Sequence, residues 1–402
     1  MREKQVPLNE INMNRLYPST ICMKNEKSVR MLQSRFSFDW ARRHTYSEIG
    51  ILKKVGYAIG LACLLYGILR LSVADHKGAQ ALRAHDLQII PSQSVPWDHS
   101  IYFDTQFLNN AGLVAATLKE EGFTHGYFTT QDGTRINYLF GKRADATCTL
   151  IACGGWFPGK KEGLASLYKL IPESCNLLLF DARGHGGSDG YLFSSLLRYG
   201  QHEYKDVMAA IEFTYAQTGL PSIIFGLCAG AFHSVHALTA LKNHPRVPTD
   251  AVAGLVFDSG WGSLMKTSRS VPKAKIRDVI KNSLAKIWDK KTIECSRLFN
   301  GMMYCADLVY DVCHYCLYKP FVDEKNTNIA DKIADVSVPV LFVHATDDAY
   351  VCIDEVKKLA DRVPCKQCWW IDQPSRHARN HLKHKHAYKE KLAAFITQSI
   401  SS

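Results

Sequence analysis

Six short runs of almost unbroken apolar residues constrain this chain more than any other feature. They are "CTLIACGGW" (148–156), "CNLLLFDARGHGGSDG" (175–190), "PSIIFGLCAG" (221–230), "VAGLVFDSGWG" (252–262), "VPVLFVHATDDAYV" (338–351) and "KQCWWIDQPSRH" (366–377). Each ends in glycine or in polar, chemistry-bearing residues. Continuous apolar runs of strand length mark strands buried on both faces, as in a parallel sheet. Between them lie segments of helical period: Leu164 to Ile171, Tyr204 to Ala216, Ala231 to Leu241, Ile353 to Val363 and Tyr388 to Ile400. Ahead of them, "GYFTTQDGTRINYLFGK" alternates around Asp132-Gly133, a hairpin signal. An opening hairpin followed by β-α alternation predicts an α/β fold with a doubly wound, mostly parallel sheet. Such sheets place their chemistry at the carboxyl ends of the strands.

Two stretches do not fit that rhythm. The first is "KKVGYAIGLACLLYGILRLSVADHK", in which Val55 to Leu69 is apolar, Arg70 interrupts, and Leu71 to Ala74 extend the run. Roughly twenty helical residues span about 30 Å, the thickness of a bilayer core. Arg70 near the far end can snorkel to the interface. The run predicts a single-pass membrane anchor over 55–74; a buried or surface-lying amphipathic helix is the alternative. The arm before it, residues 1–54, carries eleven Lys and Arg against five Asp and Glu. The positive-inside rule then expects a cytoplasmic N-terminus and the bulk of the chain across the membrane. A thiol nucleophile sits awkwardly in an oxidising compartment, so the side of the catalytic domain stays open. Residues 75–122 read as a linker or helical segment, and 123–402 as the catalytic domain.

The second stretch, about 264–336, reads as a helical insertion where a lid would cover the sheet's active edge. Its first part is rich in Lys and Arg, among them Lys266, Arg269, Lys273 and Arg277. That pattern fits an amphipathic helix with a solvated basic face, or a lid resting on anionic lipid headgroups. The net charge of +11 is shared between this segment and the N-terminal arm. No zinc-finger or RNP motif accompanies it, which argues against a nucleic-acid partner. The thirteen cysteines are too irregularly spaced in 402 residues for a small disulfide scaffold. The pairs Cys313/Cys316 and Cys365/Cys368 read as packing residues rather than zinc ligands, and the chemistry below calls for neither metal nor cofactor.

The chemistry concentrates in three places, in one order. In "GLCAG", Gly226 and Gly230 allow a sharp strand-to-helix turn with Cys228 at its apex, pointing out over the sheet at a helix N-terminus. Such an environment favours a thiolate. Next, Asp347 and Asp348 stand at the end of the "LFVHA" strand. Asp348 is the choice to hold an imidazole and Asp347 its rival. Last, His377 lies in the loop after the final strand and is the candidate base, with His381 as alternate; His384 and His386 read as solvated. An oxyanion hole needs backbone N–H groups. Ala229, which follows the nucleophile, supplies one; Gly155 or Trp156, after the "CTLIA" strand, supplies the other.

These residues together resemble the α/β-hydrolase superfamily, and within it the membrane-anchored lipase and lysophospholipase-like hydrolases. The resemblance covers roughly Phe123 to the C-terminus. It rests on "TTQDGTRINYL", "CGGW", "DARGHGGSDG", "GLCAG", "HATDDAYV" and "SRHARNHL". The family's His-Gly-x-x-Asp-x-x-Val-Pro acid strand, laid on His344 to Cys352, selects Asp348. Most members carry serine where this chain has Cys228, but dienelactone hydrolases and some acyltransferases of the fold use cysteine. The resemblance implies a membrane-anchored hydrolase that cleaves ester, thioester or lactone bonds of small-molecule or lipid-derived substrates through Cys228, His377 and Asp348. An acyltransferase using the same cysteine, or a tethered binding module without chemistry, are the competing readings.

Overall fold

The structure is a computed structural model that describes residues 118–155, 161–190, 201–242, 244–284, 297–318 and 327–401. The expected arm and anchor over 1–74, most of the 75–122 segment and Trp156 lie outside these residues. Among the described residues, no helix is long and apolar enough to cross a membrane.

All six apolar runs form strands. The hairpin gives β1 (Thr124–Thr129) and β2 (Arg135–Gly141); the runs give β3 (Cys148–Cys153), β4 (Cys175–Phe180), β5 (Ser222–Leu227), β6 (Val252–Asp258), β7 (Val340–Ala345) and β8 (Lys366–Ile371). They make one eight-stranded sheet in the order β1-β2-β4-β3-β5-β6-β7-β8. β2 runs antiparallel to both β1 and β4, and every other neighbour pair is parallel. The carboxyl ends of β3, β5, β6 and β7 therefore point to one edge.

Strands β3 to β7 are buried on both faces because each face carries its own apolar layer. Alternation sends Ile151, Leu178, Ile224, Phe257 and Phe342 to one side and Leu150, Leu177, Phe225, Val256 and Leu341 to the other. The first layer is covered by α1 (Tyr204–Thr218), α2 (Ala229–Leu241) and, from the insertion side, Leu264 and Ile329. The second is covered by a 3₁₀ stretch, Lys161–Lys169, and by the last helix of the chain, Lys385–Ser401. α2 lies centrally and is buried almost all round, as a helix with so few polar positions must be.

Two local expectations are corrected. Leu164 to Ile171 folds mostly as 3₁₀ rather than α-helix. Leu164, Leu167 and Leu170 are all buried at a spacing of three, and that is the period at which a 3₁₀ turn stacks its side chains. β8 is not buried on both faces: it closes the sheet as an edge strand, with Lys366, Gln367 and Cys368 exposed. Its tryptophans are half-buried on the two apolar layers, Trp369 tilted against Tyr388 at 5.7 Å with the Lys391 ammonium over its ring.

Between β6 and β7 the insertion contains two long helices, α3 (Leu264–Leu284) and α4 (Arg297–Tyr318). They run antiparallel, joined by Arg269–Asp311 at 2.7 Å and Arg277–Asp307 at 2.9 Å. Part of the basic face expected on α3 thus meets its neighbour's carboxylates while Arg269 and Arg277 stay exposed to solvent. After β7 come α5 (Ile353–Ala360), the one-turn α6 (Asn380–Lys383) and α7 (Lys385–Ser401). α7 docks through Tyr388, Leu392, Phe395 and Ile396, one helical stripe.

Candidate active site

The strand-to-helix turn between β5 and α2 is as tight as its sequence demands. Cys228 stands at φ 57° and ψ −114°, outside the regions a side chain normally occupies, which costs about 1–3 kcal/mol. Its N–H is held by the Asp258 carbonyl at 2.9 Å on the neighbouring strand. The glycines on either side are there because backbone fills the space a side chain would need. A Cβ at Gly226 would lie 2.5 Å from the Ala231 Cα, and one at Gly230 would collide with the carbonyl of Cys153. The result is a half-buried sulfur projecting at the sheet's active edge, at the N-terminus of a thirteen-residue helix.

Three side chains from distant parts of the chain meet there. The His377 Nε2 lies 3.0 Å from Cys228 Sγ, and its Nδ1 lies 2.7 Å from Asp348 Oδ2. The other oxygen of Asp348 accepts from the N–H groups of Tyr350 (2.9 Å) and Val351 (3.1 Å). His344, fully buried, lies 3.6 Å from the same Oδ2 and bonds the Val351 carbonyl through Nε2 at 3.1 Å. The ring of Tyr350 stands edge-on to His377 at 5.1 Å.

The electrostatics follow from that packing. Burial works against a charge on His377, but the Cys228 sulfur and the Asp348 carboxylate on its two sides outweigh burial and push the ring up to about 10. Burial works against charge on Asp348 too; the hydrogen bond and charge of His377 prevail and hold the carboxyl below the usual carboxylate range. Both shifts favour a carboxylate and an imidazolium in contact, with the Cys228 sulfur on the ring's far nitrogen. A cation in that place is what an ionised sulfur needs.

The other expected residues fall as follows. The imidazole bonds Asp348 rather than Asp347, whose carboxylate accepts from the N–H groups of Ser375 (3.1 Å) and Arg376 (2.9 Å), holding the loop that carries His377. His381 is not at the sulfur. It is sealed between Phe225 and Tyr388, and burial alone pushes its ring down to about 3. His384 is half-buried and His386 exposed, with a Glu390 carboxylate 3.3 Å from the latter. Ala229 is the first residue of α2, so its N–H is one of those a helix leaves without an acceptor in its own first turn. Gly155 packs directly on Cys228: a Cβ there would sit 3.2 Å from Cys228 Sγ. Its peptide therefore borders the place where a carbonyl carbon would meet the sulfur. Among the described residues no group of His, Cys, Asp and Glu is arranged to hold a metal ion.

Sequence reasoning overlooked one part of this region. Asp258 and Ser259, at the carboxyl end of β6, bind Asn380 and Tyr388 in a sealed polar cluster behind His377. The signal was available: "VFDSG" ends a buried strand in an acid, the same form that singled out Asp347 and Asp348.

No family model matches the chain. Among known proteins it is 21% identical over 256 residues to the uncharacterized protein YqkD of Bacillus subtilis (strain 168), a match spanning 63% of this chain and 72% of that one. Among solved structures it is similar to an esterase from Pyrococcus furiosus (17% identity, TM-score 0.48, 70% of this chain and 95% of that chain). An esterase from Exiguobacterium antarcticum (14%, 0.45, 68% and 100%) and a proline iminopeptidase from Mycobacterium smegmatis (12%, 0.47, 69% and 99%) are comparable. The sheet order and the elbow between β5 and α2 form a doubly wound, mostly parallel sheet, with Cys228, Asp348 and His377 following β5, β7 and β8.

Proposed function

We propose that the protein is a membrane-anchored hydrolase that cleaves ester, thioester or lactone bonds through Cys228, His377 and Asp348, by way of a covalent acyl-enzyme. The observation that carries the proposal is the unbroken contact from Asp348 to His377 to Cys228, at 2.7 and 3.0 Å. The chemistry runs in two halves. The Cys228 sulfur, its proton held on His377 Nε2, attacks the carbonyl carbon. The oxygen of the tetrahedral species takes hydrogen bonds from the N–H of Ala229 and from the peptide at Gly155. Collapse expels the alkoxide or thiolate, which leaves with the proton from His377, and the acyl group remains on sulfur as a thioester. His377 Nε2 then takes a proton from water, the water attacks the thioester, and the carboxylic acid departs as the thiol or thiolate is restored. Asp348 keeps Nδ1–H pointed away from the sulfur throughout, so that Nε2 is always the working nitrogen.

A sulfur nucleophile suits substrates with good leaving groups, hence esters, thioesters and lactones. The anchoring part of the proposal rests on the apolar run over 55–74, and lipid-derived esters are the substrates such a placement would supply. The test is hydrolysis of p-nitrophenyl acetate and of an acyl thioester by wild type, Cys228→Ala and His377→Ala. Turnover is expected for wild type and loss of on the order of 10³-fold or more for either variant. Undiminished turnover by Cys228→Ala overturns the reading. Deletion of residues 55–74 is expected to release the protein from carbonate-washed membranes; a deletion variant that stays bound removes the anchor from the proposal.

A further inference from the structure

His377 sits in an unusual piece of backbone. The residues on both sides of it, Arg376 at φ 65° and Ala378 at φ 58°, are left-handed without being glycine. Two such residues around a single side chain are costly, and they persist only where surrounding contacts impose them. On the Arg376 side the Asp347 carboxylate provides the contacts. On the Ala378 side the contacts lead into β6. The Ala378 N–H donates to Ser259 Oγ at 3.1 Å, and Asn380 Nδ2 donates to Asp258 Oδ1 at 2.7 Å. Ser259 Oγ donates to the same Oδ1 at 2.8 Å, and Tyr388 Oη to Oδ2 at 2.7 Å. Ser375 Oγ closes the loop by donating to Asn380 Oδ1 at 2.6 Å. Asp258, Ser259 and Asn380 are fully buried and Tyr388 nearly so.

Asp258 has a second hold. Its main-chain carbonyl accepts the N–H of Cys228 at 2.9 Å, while Ser259 N–H donates to the Val343 carbonyl of β7 at 3.0 Å. One residue thus grips the peptide of the sulfur through its backbone and the loop of the imidazole through its carboxylate. The geometry points to Asp258 as a positioning residue that, with Ser259, Asn380 and Tyr388, sets the distance between Cys228 Sγ and His377 Nε2. The inference rests on the thiol-hydrolase reading above and extends it to residues that never touch substrate.

Charge supports the same role. Burial pushes the Asp258 carboxyl up to about 6, while Tyr388, Ser259 and Asn380 donate to it and His377 acts on it from a distance. Its two oxygens are held by three side-chain donors. A simple buried packing residue would need neither three side-chain donors nor links to both the Cys228 turn and the His377 loop. Asp348, by contrast, holds the histidine ring directly and has no hydrogen bond to the Cys228 turn.

The test uses the full chain in detergent and follows p-nitrophenolate release from p-nitrophenyl acetate, with thermal unfolding in parallel. Asp258→Asn leaves the side-chain shape but removes one acceptor and the charge. A displacement of reacting atoms by about an ångström costs on the order of 10²-fold. The expected result is a kcat lowered by about 10- to 100-fold with KM changed less than about 2-fold. The exchange Asp258→Asn with Asn380→Asp restores an acid–amide pair with donor and acceptor reversed, and is expected to recover most of the lost kcat. An unchanged kcat in a folded Asp258→Asn, or a kcat loss that the exchange leaves unaltered, overturns the inference. Should Asp258→Asn not fold, Tyr388→Phe, which deletes one donor from the same carboxylate, decides: a several-fold fall in kcat at constant KM supports the role, and unchanged kcat overturns it. If wild type itself shows no Cys228-dependent release, the thiol-hydrolase reading has failed instead, an outcome distinct from any of these.

Discussion

The ring of His377 carries a prediction that can be worked from the structure. Its rise from the ordinary 6.5 to about 10 is opposed by burial and driven by the sulfur on one side and the carboxylate on the other, the charge of Cys228 being the largest upward contribution. At 1.36 kcal/mol per pKa unit, the rise corresponds to about 5 kcal/mol favouring the charged ring. Cys228→Ala removes the sulfur and leaves burial and the Asp348 contact. An opposite charge at hydrogen-bond distance is worth about 1–3 units, so the ring of the variant should titrate at least about one unit lower than wild type. Histidine-selective isotope labelling and NMR titration read this directly, with His377→Ala assigning the resonance among the sixteen histidines. Stability should move in step. A ring whose folded value lies above its unfolded value contributes stability that is complete below pH 6.5 and is lost as the pH rises towards 10. Cys228→Ala should shrink that alkaline loss. A His377 titration that moves by less than about half a unit in Cys228→Ala would refute the reasoning, because it would mean the sulfur carries no charge that the ring can feel.

Three other outcomes are expected. Asp348→Asn should lower kcat by on the order of 10⁴-fold, as replacing the acid frees the imidazole to take the wrong tautomer; Asp347→Asn, which loosens only loop backbone contacts, should cost far less, and equal losses in steady-state assays would contradict the assignment. Gly230→Ala should fail to assemble the elbow, since the new methyl meets the Cys153 and Gly154 carbonyls; a soluble variant with wild-type melting temperature would contradict the turn geometry. Arg183 joins Asp206 at 2.7 Å and Asp132 at 2.9 Å. Arg183→Ala strands the buried Asp206 carboxyl and should destabilise by about 3–5 kcal/mol in denaturant titration.

The six apolar runs became strands because nothing else satisfies so many consecutive apolar residues at that length, and Cys228 stood out because two glycines bracket it directly between a strand and a helix. Asp348 and His377 were reachable for the same reason: they follow the ends of strands, where a parallel sheet gathers its loops. The insertion of β4 between β2 and β3 was not legible, since strand order depends on crossover packing spread over the whole domain. β8 looked buried because Trp369 and Trp370 are apolar, but an edge position is a property of what lies beside a strand, not of the strand. The Asp258 cluster was missed because its members, at 258, 259, 380 and 388, share no local pattern and meet only through tertiary contact. His381 looked equivalent to His377 in sequence. Only the left-handed turn at Ala378 and the packing of Phe225 and Tyr388 separate the one aimed at the sulfur from the one enclosed in the core.

The most direct measurement is to capture the acyl group. Wild-type protein mixed with an activated ester and quenched in acid within a fraction of a turnover is digested and its peptides weighed. The account predicts one acyl group on the peptide containing Cys228, removed by neutral hydroxylamine as a thioester is, and absent from Cys228→Ala. Ester cleavage with the acyl group on some other residue, or with none on Cys228 at any time before turnover is complete, would contradict it.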